Sequence, residues 1–162
     1  MLALGLGLAL AGAPALAQPV VGQMQLPVRP TCLTSPFGDR AAPGPHAIGF
    51  HNGIDLRAPA GGAVYAVQAG RIVSIHRRGP GGLEIAVAHA GALGPYVSIY
   101  AHLGLIAPAI ASGRTEVAAG ERIAVIGRSG VTYGTHLFFA LTVGGRAVDP
   151  APYFPVAACP PR

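Results

Sequence analysis

The chain has 162 residues, enough for one domain with its own core and too few for two. Its 24 glycines and 16 prolines argue against a helical bundle. The net charge of +5 comes from eleven basic residues, all arginine, spread from Arg29 to Arg162 with only Arg77 and Arg78 adjacent; no basic patch interleaved with aromatics supports a nucleic-acid partner.

In chain order, residues 1–17, "MLALGLGLALAGAPALA", are apolar and end in Ala15-Leu16-Ala17, the small-x-small pattern that signal peptidase accepts, although no basic residue precedes the run. Repeated glycine, Pro14 and the short length weigh against a stable membrane span, which needs about 20 apolar residues. The expectation is an exported protein, periplasmic or extracellular. Residues 18–30 are proline-rich and are expected to form an extended arm outside the core. The segment "TSPFGDR" (34–40) reads as a short strand entering a turn, and 41–50 as a loop.

Strands are expected at 63–67, 71–76, 84–89, 96–101, 122–126 and 136–143, with turn residues recurring between them, the pattern of an all-β barrel or sandwich. Pro108 and Gly113 are expected to break any regular element in 104–116. The segments "APAGGAVYAVQAGRIVSI" and "VAAGERIAVIGRSG" each place an Ala-Gly turn before a β-branched strand, like the hairpins of biotinyl and lipoyl carrier domains. Those carriers modify a lysine, and this chain has none, which removes a lysine-linked cofactor.

Three histidine segments carry candidate chemistry; His46, His76 and His89 read as ordinary loop or strand-end residues. In "HNGIDL", His51 and Asp55 would lie about 13 Å apart on a straight strand, too far to share a metal, but a turn at Asn52-Gly53 could bring them together. In "YAHLG", His102 ends an apolar strand. In "GTHLFFAL", His136 and Phe138 fall on one face of a strand, about 6.6 Å apart. Two histidines at that spacing could close on one metal; a histidine and a phenylalanine cannot. Cys32 and Cys159 stand at opposite ends of the chain that would follow an export signal. In an oxidising compartment they would either bridge, tying the first strand to the tail, or stay as two thiols, and the bridge is the expectation adopted.

Taken together, "TSPFGDR", "HNGIDLRAPAGGAVYAVQAGRI", "YAHLG", "AAGERIAVIGRSG", "GTHLFFAL" and "VDPAPYF" resemble the lysostaphin/LytM-type zinc endopeptidases of peptidoglycan, peptidase family M-twenty-three. The resemblance implies an antiparallel sheet in a barrel-sandwich of the LytM (duplicated hybrid motif) type, over about 31–155 with a tail at 156–162, and long loops forming a groove. It implies that His51 and Asp55 are zinc ligands and that His102 and His136 are the catalytic pair flanking the metal-bound water. The family's third ligand is the second histidine of H-x-H, and that position is Phe138, which offers no lone pair and is left as a substrate-facing residue. The glutamate that usually follows is replaced by Ala140.

A catalytic zinc needs three protein ligands and an open position. Losing even a hydrogen-bond partner of a ligand costs about 10- to 100-fold in affinity or activity, so zinc should bind weakly or not at all. The expected function is therefore a cell-envelope domain that binds peptidoglycan, with impaired catalysis and a regulatory role toward another envelope hydrolase. The alternatives are an active zinc endopeptidase using His136 or His102 as substitute ligand, and a purely structural β domain.

Overall fold

A computed structural model describes residues 24–46, 49–91 and 94–161; the proposed export signal lies outside the described residues. Among the described residues twelve strands occur, in chain order β1 (Leu33–Ser35), β2 (Gly38–Asp39), β3 (Phe50–His51), β4 (Ile54–Arg57), β5 (Ala63–Tyr65), β6 (Gly70–His76), β7 (Leu83–Gly91), β8 (Gly94–Ile106), β9 (Glu116–Val117), β10 (Arg122–Ile126), β11 (His136–Val143) and β12 (Arg146–Val148). Ten join one sheet with the path β1-β4-β11-β8-β7-β6-β9, to which β10, β5 and β12 attach; β2 and β3 pair separately. All named strand pairings are antiparallel, so the expected all-β antiparallel class holds.

Alternation along the central strands sorts core from groove. On β4, Ile54 and Leu56 are fully buried while Asp55 and Arg57 take the other face. On β11, Leu137 and Phe139 are fully buried, and His136 and Phe138 face opposite to them. The register pairs Phe138 with Asp55 on one side and with Ala101 of β8 on the other. The same pleat that packs the core therefore lines up the polar residues on the groove face.

Three expectations need correction. Of the expected outer arm, Met24 and Val28 are buried in the core; Gln25 N–H donates to Val67 O at 2.9 Å and Tyr65 N–H to Pro27 O at 2.8 Å. Met24, Leu26 and Val28 alternate with period two, an apolar face that the prolines obscured. Within 104–116, β8 runs on to Ile106 and one helical turn (α1, Pro108–Ala111) follows. Proline suits a first helical turn, where its missing N–H has no partner to lose, and Gly113 at φ 103° stops the element. His89 is no ordinary strand-end residue: it is 4% exposed, its Nδ1–H donates to Ala69 O at 2.9 Å, and its Nε2 meets Ser98 Oγ at 2.7 Å. Ser98 continues to the Tyr100 hydroxyl at 3.1 Å, which accepts the Val67 N–H at 2.9 Å. Burial holds the His89 imidazole below its usual pKa, against the Ala69 hydrogen bond, and pushes the Tyr100 hydroxyl up.

Cys32 and Cys159 are joined by a disulfide with Cα atoms 4.9 Å apart. The tail also bridges β1, with Leu33 N–H donating to Ala157 O at 2.8 Å and Cys159 N–H to Leu33 O at 2.9 Å.

Candidate functional site

The groove, of about 850 Å³, is floored by β4, β11 and the end of β8 and walled by the 34–46 and 131–135 loops. Its centre is Asp55. The chain bends at Asn52-Gly53 between β3 and β4, and Asp55 Oδ1 comes to 3.4 Å from His51 Nε2. The same oxygen lies 3.3 Å from His136 Nε2, while Oδ2 lies 3.3 Å from the Arg40 guanidinium. Arg40 also donates to Ser35 Oγ.

His51 is oriented from behind. Its Nδ1–H donates to Pro36 O at 2.8 Å, which turns Nε2 toward the carboxylate. With Nδ1 committed as donor, the Nε2 and Oδ1 acceptors face each other favourably only with a proton or a cation between them. Burial alone would raise the Asp55 carboxyl, but the His51 hydrogen bond and the charges of His136, His51 and Arg40 outweigh it and hold it below the usual range. Burial pushes the His136 imidazole down; Asp55 opposes, His102 adds to the lowering, the Gly134 hydrogen bond opposes and His51 adds.

His102 reaches the groove through a bulge. Ile85 pairs with Tyr100 and Leu83 with Leu103, so Ala101 and His102 together oppose Glu84 alone. Strict alternation would turn His102 toward the core; as the extra residue, in a left-handed conformation at φ 62°, it joins the groove instead. Such a backbone costs a non-glycine residue about 1–2 kcal/mol. It is fixed by the His102 N–H to Gly81 O bond at 2.9 Å and by its Nδ1–H donating to Ser129 O at 2.9 Å. Its ring lies 5.0 Å from that of His136, centroid to centroid.

All five residues singled out from the sequence, His51, Asp55, His102, His136 and Phe138, line this groove. The Phe138 ring sits 5.4 Å from the His51 ring and 6.2 Å from the His102 ring. Its edge rests on the turn: a Cβ at Gly53 would come within 2.7 Å of it. The donor set does not fit a catalytic zinc. Phe138 fills the strand position opposite Asp55 with a ring that has no lone pair, and the three donors that do converge, His51, His136 and Asp55, are already engaged with one another. Arg40 further occupies the carboxylate.

Arg40, Ser35 and Ser129 had no assigned part in the sequence reading. Arg40 is the last residue of the matched "TSPFGDR", so position was a signal, but the ion pair depends on the pairing of β1 with β4.

The model of Peptidase family M23 matches residues 49–150. The DD-carboxypeptidase/endopeptidase Mpg of Neisseria meningitidis is 34% identical over 120 residues, 74% of this chain and 26% of that protein. The murein hydrolase activator NlpD of Salmonella dublin is 35% identical over 109 residues, 66% of this chain and 27% of that one. A solved zinc-containing peptidase from Vibrio cholerae superposes with a TM-score of 0.65 at 28% identity, over 80% of this chain and 38% of that one. The chain thus spans about a quarter of the length of these curated relatives. With the matched region covering more than half of the chain and the floor of the groove, the chain belongs to peptidase family M23.

Proposed function

We propose that this chain is an exported cell-envelope domain that binds peptidoglycan peptides in its groove, is impaired as a hydrolase, and acts by regulating another envelope hydrolase. The observation that carries the reading is Phe138, an apolar ring at the strand position where the family places its third zinc ligand. The neighbouring polar groups satisfy one another: Asp55 is engaged by His51, His136 and Arg40. A carboxylate so engaged gains little from a metal that only two or three groups could reach, and zinc binding is weak or absent. The names of relatives support both halves, one being a peptidase of this class and another a murein hydrolase activator.

The test incubates the protein with purified peptidoglycan and measures both sedimentation with the polymer and released muropeptides. Binding without release supports the reading; release that a chelator abolishes overturns it. One observation favours a second reading, an active zinc endopeptidase with His136 as substitute ligand: the two Nε2 atoms lie 3.4 and 3.3 Å from one Asp55 oxygen, a separation that two ligands of a shared metal would also have. In that case chelator-sensitive release would disappear in His136→Ala.

A further inference from the structure

Two charged side chains of the groove have no use in the site described above. Arg57 follows Asp55 by two residues on β4, shares its face, and pairs in register with His136. It makes no side-chain hydrogen bond or ion pair among the described residues, and its Nε is buried without a partner. The buried Nε is closed to the groove, so the donors a ligand would meet are the terminal guanidinium nitrogens, which have no partner among the described residues. Glu84 lines the same groove from β7 and is also without a side-chain partner among the described residues.

The register sets their separation. The row Asp55, Phe138, Ala101, Glu84 crosses β4, β11, β8 and β7, three strand spacings, and Arg57 lies two residues further along β4. At about 4.8 Å per strand and 3.3 Å per residue, Arg57 and Glu84 stand about 16 Å apart across the floor. Four extended peptide residues span about 14 Å.

We infer that Arg57 and Glu84 are the two ends of a peptide subsite, Arg57 taking a free carboxylate of the ligand and Glu84 its free ammonium. The guanidinium fork suits a carboxylate in particular, with parallel N–H donors matched to two oxygens. The inference rests on the peptide-binding reading of the groove and adds to it the chemistry of the bound ends and the length between them.

The probe is a synthetic tetra-alanine peptide with a D-alanyl-D-alanine end, made with each terminus free or blocked, titrated calorimetrically into the full chain. Wild-type protein should lose roughly 10- to 100-fold in affinity on C-terminal amidation, the effect of one charge-assisted contact, and less on N-terminal acetylation. Arg57→Gln should bind acid and amide equally while keeping the response to acetylation. Glu84→Gln should show the reverse, and Arg57→Lys should recover part of the acid preference through its charge. An undiminished acid preference in Arg57→Gln overturns the assignment and leaves peptide binding standing. If no form of the peptide binds wild-type protein while peptidoglycan does, the subsite is overturned alone; if neither binds, the peptide-binding reading falls with it.

Discussion

Replacing Asp55 by asparagine removes the one anion at the centre of the groove and keeps its shape. The carboxylate faces Arg40 at 3.3 Å, His136 at 3.3 Å and His51 at 3.4 Å. At an effective dielectric of about 20, the Arg40 pair has a gross attraction of about 5 kcal/mol, most of it offset by removing both charges from water. The side chains keep 21% and 14% of their exposure and the contacts are long, so a net loss of about 2 kcal/mol is expected for Asp55→Asn at pH 7. The pH dependence gives the sign. The folded carboxyl titrates below its ordinary value of 3.8, so its contribution is complete above that value and is lost as pH falls through the lower folded value. Urea unfolding of both proteins at pH 7 and at about pH 2.5 should therefore show a deficit in the variant at neutral pH that closes in acid. Equal stability at pH 7, or a deficit that persists unchanged in acid, would refute the claim that the charged carboxylate organises this cluster.

Gly53→Ala should cost about 1–3 kcal/mol in thermal or urea unfolding, because its Cβ would lie 2.6 Å from Phe139 O and 2.7 Å from the Phe138 ring, and backbone cannot yield as a side-chain tip can. Truncating the ring in Phe138→Ala should relieve only part of that cost. Replacing Cys32 and Cys159 together by serine opens a loop of sequence separation 127, worth about 5 kcal/mol in the chain-entropy model. The two backbone bonds between Leu33 and the tail remain, so the folded form should persist with a lowered urea midpoint.

What was legible in the sequence was what local periodicity encodes. Six strands follow from alternation and turn residues, and Phe138 beside His136 follows from the same period. The bend at Asn52-Gly53 was readable because a straight strand would hold His51 and Asp55 too far apart and Asn-Gly favours a turn. What was not legible depends on partners far along the chain. Met24 and Val28 sit in the core because Val67, Tyr65 and Tyr153 supply backbone partners to that segment. His89 resembles a loop histidine until Ala69 and Ser98 are brought to its two nitrogens. His102 required a bulge, an extra residue whose existence is a property of the β7–β8 register. Arg40 and Arg57 both read as scattered surface charge, and only the fold separates the paired one from the unpaired one.

The proposed function turns on Phe138 standing where the family's third zinc ligand would be. The most direct measurement is the zinc content of wild-type protein and of Phe138→His, purified side by side, equilibrated with zinc and desalted, by elemental mass spectrometry. Wild-type protein should hold well under one zinc per chain, and the variant should bind zinc at least about tenfold more tightly. One tightly held zinc per wild-type chain, unchanged by the substitution, would contradict it.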